Sequence, residues 1–373
     1  MNCKKLEEII IKINDYLLAN HHLEDTENLF ESSCFYFGAL EAYDILKKKE
    51  YFDSALAWAN YNGWKKFNPK NIFPDDLLYK HFTDYNRCGW EFENWDDYEF
   101  IHADFYACGQ VYIRLREFNK QLGTLEHMIK AAEFTLNEPH NDYWWWVDSI
   151  YMALPFYHKL AAVLDDERYA IKGDALYQHC KNIRKCYDKD EHLWYRDERY
   201  MPKNALTTNG KKIFWSRGNG WVYAGLARTL EILDKNNPYY TNYAKTFVEM
   251  TPVILSRQNE DGFWRCSLND PNEYPMPETS GTALFLYGLL VGIKLNLVNS
   301  SYLPRIEKSI EQIYETAVFP SGKLGWVQDV AEKPDLIKKD TTRDYAVGSY
   351  TLACCELYRI LERKNFADTS EQA

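Results

Sequence analysis

The segment Tyr143-Trp144-Trp145-Trp146-Val147-Asp148 sets one carboxylic acid directly behind three consecutive tryptophans. An apolar run, Ile150-Tyr151-Met152-Ala153-Leu154, follows it. An aspartate in this place can cap a helix. Among indoles it is also desolvated, which disfavours its charged form and raises its pKa. An acid that keeps its proton near neutral pH can donate it, so Asp148 is the candidate general acid. Asp104, in Ile101-His102-Ala103-Asp104-Phe105, has the same place at the start of an earlier apolar stretch, again with helix capping as its alternative. Two carboxyls aimed into one cavity suit glycoside chemistry, in which one donates a proton and a second group handles water.

A second element is Phe214-Trp215-Ser216-Arg217-Gly218-Asn219-Gly220-Trp221. Arg217 lies between Trp215 and Trp221, and its planar fork fits a carboxylate. The alternative is an arginine stacked on tryptophan for structural reasons. His192, beside Trp194 in a loop, is either a surface residue or part of the site. Tyr36, in the first of the recurring helices described next, is a further substrate-binding candidate. No His, Cys and Asp cluster has metal-ligand spacing, so neither a metal nor another cofactor is expected. There is no G-x-S-x-G, no phosphate-binding loop and no dinucleotide fingerprint.

These residues sit where helices begin. Six times a helix opens with small, polar or aromatic residues and runs into an apolar stripe: Ser33 to Gly38, His102 to Gly109, Trp146 to Ser149, Arg217 to Trp221, Thr279 to Thr282 and Asp344 to Gly348. Successive copies lie roughly 45 to 70 residues apart, room for a second helix and two loops. Such a period marks a repeat architecture. Partner helices are predicted over Leu6 to Ala19, Tyr51 to Phe67, Phe118 to Leu136, Glu167 to Tyr187, Pro238 to Arg257 and Arg305 to Val318, with Pro238 as a first-turn proline. Six antiparallel hairpins, one helix of each facing inward, make an all-α fold, the (α/α)6 barrel. An open superhelix is the alternative. Closure is favoured because there are only six units and the inner helices do not share a uniform consensus. Three long connections, Asn68 to Ile101, Asp188 to Phe214 and Asn259 to Glu278, are too aromatic for disorder and have room for short β-hairpins. The whole of 1–373 reads as one catalytic domain with a tail that frays from about Asn365.

The chain has 373 residues and a formal net charge of -11, which argues against binding nucleic acid. With 12 Trp and 29 Tyr it is rich in faces that suit sugar rings, although core filling accounts for most of the tyrosines. Nine cysteines without paired spacing fit reduced thiols. Leu6 to Leu18 is amphipathic and charged, neither a signal peptide nor a membrane span, so a cytoplasmic protein with no membrane partner is expected.

Taken together, His102-Ala103-Asp104 to Gly109-Gln110, Trp146-Val147-Asp148, Phe214 to Trp221, Asp261-Gly262-Phe263-Trp264-Arg265, Pro277 to Leu284 and Gly325-Trp326-Val327-Gln328 resemble the unsaturated glycuronyl hydrolases of glycoside hydrolase families 88 and 105, family 105 more closely. The resemblance spans about two thirds of the chain, and the family's fold is the (α/α)6 barrel. It implies hydration of a 4-deoxy-4,5-unsaturated uronic acid at the non-reducing end of a lyase-generated oligosaccharide. By the same resemblance Asp148 protonates C4 and Asp104 assists. Trp146 and Trp221 pack the ring, Arg217 and Trp215 face the substrate, and His192 lies near the site. Related sequences often carry two adjacent acids where this chain has Asp104-Phe105, which leaves open whether Asp104 or another acid is the second carboxylate. Rival readings are an inverting glycosidase on saturated sugars, a sugar epimerase on the same barrel and a non-enzymatic helical scaffold.

Overall fold

The computed structural model describes residues 1–26, 28–66 and 101–371. The connection expected from Asn68 lies, up to residue 100, outside the described residues. Within them are twelve α-helices. Six face inward: α2 (Phe30–Leu46), α4 (Ala107–Phe118), α6 (Ser149–Leu164), α8 (Ser216–Ile232), α10 (Thr279–Lys294) and α12 (Asp344–Glu371). Each packs on the next, and α12 returns to α2, so the ring is closed. The outer layer is α1 (Cys3–Asn20), α3 (Lys49–Tyr61), α5 (Glu126–Asn137), α7 (Glu167–Gln178), α9 (Tyr240–Ser256) and α11 (Leu303–Ala317). Closure, rather than an open superhelix, is what the structure has.

Sequence decides which helix goes inside. In α10 every residue from Thr279 to Gly292 is buried, and in α8 every residue from Ser216 to Leu230. Helices buried on all sides carry no polar face. The outer α11 instead buries Leu303, Ile306, Ser309, Ile310, Ile313 and Ala317, a mostly apolar stripe at helical spacing.

Ring closure depends on two glycines. Gly38 of α2 meets Gly348 of α12 so closely that a Cβ on Gly348 would lie 2.2 Å from the Cys34 carbonyl oxygen. That seam joins the first inner helix to the last.

Several partner-helix boundaries differ from expectation. The helix expected over Tyr51 to Phe67 is α3, which starts at Lys49 and ends at Tyr61. Phe118 ends α4, and α5 starts only at Glu126, because Gly123 takes a left-handed conformation (φ 47°) beneath the Trp64 ring and breaks the helix. Pro238 stands ahead of α9 in a turn stabilised by Asn237, whose side chain accepts from the Tyr239 N–H at 3.0 Å. The first-turn proline is Pro304, at the start of α11. After α7 the chain makes a π-helical turn, His179–Ile183, so Tyr187 lies in a strand instead. That strand, β1 (Tyr187–Asp188), pairs antiparallel with β2 (Leu193–Trp194), a short hairpin inside the second long connection. The third connection is tied to the start of α8 by a bridge between Ser267 and Trp215. Among the described residues no helix is long and apolar enough to cross a membrane.

Replacing Gly348 by alanine should destabilise the protein by about 1–3 kcal/mol or more, since the added methyl meets backbone that cannot rotate away. Denaturant unfolding of Gly348→Ala checks this; a midpoint equal to wild type would mean the seam is looser than described.

Candidate active site

Asp148 immediately precedes α6, yet its side chain makes no capping hydrogen bond. It is 9% exposed, and its Oδ1 is buried with no hydrogen-bond partner among the described residues. The capping alternative for Asp148 therefore does not describe this carboxyl. Its place is set from the hairpin side: the Val147 N–H donates to the Arg196 carbonyl at 2.9 Å. That bond brings the Arg196 side chain alongside, with Nε 3.7 Å from Asp148 Oδ2, an ion pair without a hydrogen bond. The guanidinium lies over the rings of Trp145 (5.1 Å) and Trp146 (5.9 Å). Its Nη1 donates to Asp197 at 2.7 Å, and Asp197 is in turn gripped by Arg199 at 2.9 Å through two nitrogens.

Asp104 falls in a single 3-10 turn, Ala103–Tyr106, just before α4. Here too the cap is another residue: His102 Nδ1 accepts from the Asp104 N–H at 3.3 Å. The His102 ring rests on Phe105 and, at 5.0 Å, on Trp146. The Lys66 ammonium lies 3.6 Å from the centre of the Tyr106 ring.

Burial, and then the charge of Asp148, lifts the Asp104 carboxyl to about 7, against the pull of Arg196 and Lys66. Burial lifts Asp148 to about 6; Arg196 and Arg217 pull it down, while Asp197 and Glu332 push it up. The structure therefore brings Asp104, Asp148 and Trp146 together, as the sequence suggests, and adds Arg196, His102 and Lys66. Arg196 lies in the connection Asp188 to Phe214, four residues after His192, and no pattern in its sequence surroundings singles it out.

The other candidates have different surroundings. Arg217 is buried, and its fork is already occupied. Nη1 donates to the Gln328 carbonyl (2.6 Å) and the Tyr345 hydroxyl (2.9 Å), and Nη2 donates to the Asp329 carbonyl (2.8 Å). It stacks between Trp215 (4.6 Å) and Tyr345 (4.8 Å). The expectation that Arg217 turns its fork to a ligand carboxylate does not match this geometry, although its charge is felt at Asp148. Trp215 donates from its indole to Gln328 Oε1 at 2.6 Å, anchoring the same segment. Trp221 is buried among Tyr151, Phe30 and Tyr345. Tyr36 is buried and stacked on Trp58 at 4.8 Å. His192, left-handed at the hairpin tip, pairs with the Tyr187 hydroxyl at 3.0 Å and faces Glu249 of the outer helix α9. Among the described residues none of these five forms a hydrogen bond or ion pair with either carboxyl. Among the described residues no group of three or more His, Cys, Asp or Glu is arranged to hold a metal ion.

Because Arg217 holds carbonyls rather than a ligand, Arg217→Lys should lower stability by about 2–4 kcal/mol, the loss of charge-assisted bonds that a point charge cannot replace. Thermal unfolding checks this; an unchanged midpoint would return the arginine to the ligand-facing reading.

Residues 6–361 match the family described as Glycosyl Hydrolase Family 88. A relative from Formosa agariphila, an unsaturated 3S-rhamnoglycuronyl hydrolase, is 30% identical over 298 residues, 74% of this chain and 78% of its own length. A solved structure of a family 88 glycosyl hydrolase from Bacteroides vulgatus superimposes with a TM-score of 0.85 at 30% identity, covering 97% of this chain and 100% of that one. Another solved structure, described as a polysaccharide lyase, gives a TM-score of 0.84 at 31% identity over 96% of this chain and 98% of that one. Structures assigned to family 105 share the fold at 17–19% identity. The helical barrel is thus that of a glycosidase, and the chain belongs to glycoside hydrolase family 88.

Proposed function

We propose that this glycosidase removes a 4-deoxy-4,5-unsaturated uronic acid from the non-reducing end of lyase-generated oligosaccharides by hydrating the C4=C5 double bond. One observation carries the reading: Asp148 is a buried carboxyl that caps nothing, sits behind an indole cluster, and is held near pH 6 opposite a second raised carboxyl. The activity named for the Formosa agariphila relative, on an unsaturated rhamnoglycuronyl linkage, supports the substrate class.

The steps follow from the residues. Protonated Asp148 donates to C4, and positive charge develops at C5, shared with the ring oxygen. A buried acid with a raised pKa is suited to this donation. Water adds at C5 and gives up a proton to the carboxyl pair, in which the Asp148 charge raises Asp104 and favours keeping one proton on the two groups. The product at C5 is a hemiketal. Its bond to the ring oxygen breaks, C5 becomes a ketone, and C1 is left as a hemiacetal that expels the leaving sugar as an alcohol and becomes an aldehyde. Arg196, the cation beside the acid, suits the uronate carboxylate, and its Nε is without a hydrogen-bond partner among the described residues. Trp146 and the neighbouring aromatic rings offer faces to the sugar.

The test is the ultraviolet absorbance of the conjugated double bond in lyase-generated disaccharides, which this activity destroys. A lyase reading has its own support in the solved structure so described. It predicts the opposite sign, absorbance rising on intact polysaccharide. Asp148→Asn should cut turnover by roughly 10²–10⁴-fold, since the amide fills the same space and cannot donate an acid proton. A variant that keeps the wild-type rate would remove Asp148 from the acid role. The pH profile has a sign as well. The pair must hold a proton to act, and its carboxyls lie at about 6 and about 7, so kcat/KM should fall as pH rises through that range. A rate still climbing at pH 8 would contradict it.

A further inference from the structure

Pro155 stands in the second turn of α6, the helix that Asp148 precedes. Proline has no N–H, so the Tyr151 carbonyl, one turn earlier, loses its helical donor. A side chain from the neighbouring helix supplies the donor. Gln110 of α4 donates from Nε2 to the carbonyls of Tyr151 (2.9 Å) and Met152 (2.9 Å). Its Oε1 accepts from Arg228 Nη1 of α8 at 2.8 Å, and Arg228 Nη2 donates to the Tyr151 hydroxyl at 2.9 Å. One hydrogen-bonded unit therefore ties together α4, which follows Asp104, α6, which follows Asp148, and α8, which begins at Ser216.

Arg228 is unusual among the cations near it. Arg114, Lys159, Lys294 and Arg359 are each paired with carboxylates from Glu41, Asp44, Glu117, Glu231 or Glu356. Arg228 is 6% exposed and, among the described residues, has no ion pair. It lies 3.9 Å from the centre of the Phe37 ring and 4.6 Å from that of Tyr151. A buried cation matched only to neutral oxygens and rings is a costly way to gain stability. The backbone is shaped around it: Gly225 lets α8 approach so closely that a Cβ there would lie 2.8 Å from the Tyr151 Cα. The Tyr151 ring in turn packs on Trp221 at 4.7 Å.

We propose that Gln110 and Arg228 are positioning residues for the Asp104–Asp148 pair: they bridge the break that Pro155 opens in α6, and so fix the height and rotation of Asp148 against its two neighbouring helices. The inference rests on the reading of Asp148 as the acid. Neither residue touches the reacting atoms; each acts through the α6 backbone.

A double-mutant cycle tests it, because the proposal names the group that Gln110 replaces. Gln110→Met keeps the volume and removes the amide donors. At a temperature where the variant is fully folded, kcat should fall roughly 10- to 100-fold, the scale of a misplacement of about 1 Å. The alkaline limb of the pH profile should also move to lower pH as the pair loosens. Adding Pro155→Ala returns an N–H to the Tyr151 carbonyl, so the double variant should recover most of the lost kcat and the wild-type profile. Overturning results are a Gln110→Met enzyme with wild-type kcat and profile and only a lower Tm, or a double variant that fails to fold or keeps the rate of the single one. Carbon-13 NMR titration of the two carboxyls in the same proteins needs no turnover. Were wild type inactive on unsaturated disaccharides, the functional reading would fail. The positioning claim would still be decided by whether Gln110→Met lowers the titration of the pair and Pro155→Ala restores it.

Discussion

Each inner helix of the ring is enclosed by two inner neighbours and by the outer layer, so a polar group on it must find its partner within the protein. A buried donor or acceptor left alone costs about 1–3 kcal/mol. The structure meets much of this demand with bonds both local and long-range. The Asn14 amide reaches Thr351 of α12 at 2.9 Å. Glu278 caps α10 by accepting from the Ser280 and Gly281 N–H groups. Asn219 pairs with the backbone of Trp194 through both ends of its amide. The demand is not met everywhere: among the described residues several buried side-chain atoms have no partner, and one of them is Asp148 Oδ1, in the candidate site.

The electrostatics around that carboxyl are a contest rather than a simple burial. Burial raises both acids, and Arg196 opposes it at both. Arg196 is only partly available to do so. Its shortest ion pair is with Asp197, and it meets Asp148 at 3.7 Å without a directed bond. A fully bonded pair would hold Asp148 ionised at neutral pH, and with no cation near it burial would go unopposed. The shared guanidinium leaves the acid between these limits, and the stacked indoles of Trp145 and Trp146 keep that guanidinium in place.

Much of this was legible from the chain because hydrophobic helices that are apolar on all sides have few other folds open to them. The six inner-helix starts, the ring and the pairing of Asp104 with Asp148 follow from pattern and composition. The role of Arg217 did not. Its sequence neighbours, Trp215 and Trp221, suggest a ligand clamp, while its partners, the carbonyls of Gln328 and Asp329, lie more than a hundred residues away. Arg196 was hidden for the converse reason. It enters the site through one backbone bond to Val147, and a side chain delivered by tertiary contact has no local signature. Tyr36 shows the same limit, since an inner-helix aromatic can face the cavity or, as here, stack on an outer-helix tryptophan. Outer-helix boundaries slipped where one glycine or an asparagine turn ended a pattern that hydrophobic spacing alone would continue.

An aspartate just before a helix is normally its cap, and the positive end of the helix favours the carboxylate by about 0.3–1 kcal/mol. Moving a carboxyl from its ordinary 3.8 to about 6 requires roughly 3 kcal/mol in the opposite direction, so desolvation exceeds the dipole here. It can do so only because the helix does not need the side chain. The Val147 N–H is served by Arg196, the Ile150 N–H donates to the Val147 carbonyl, and the Tyr151 and Met152 N–H groups both donate to the Asp148 carbonyl. Capping and acid catalysis make opposite demands on one carboxyl, ionised and bonded in the first case, protonated and free in the second. By satisfying these early donors of α6 through its own backbone, the chain releases Asp148 from the first demand. The same logic applies at Asp104, where His102 takes the capping role and leaves the carboxyl to its partner.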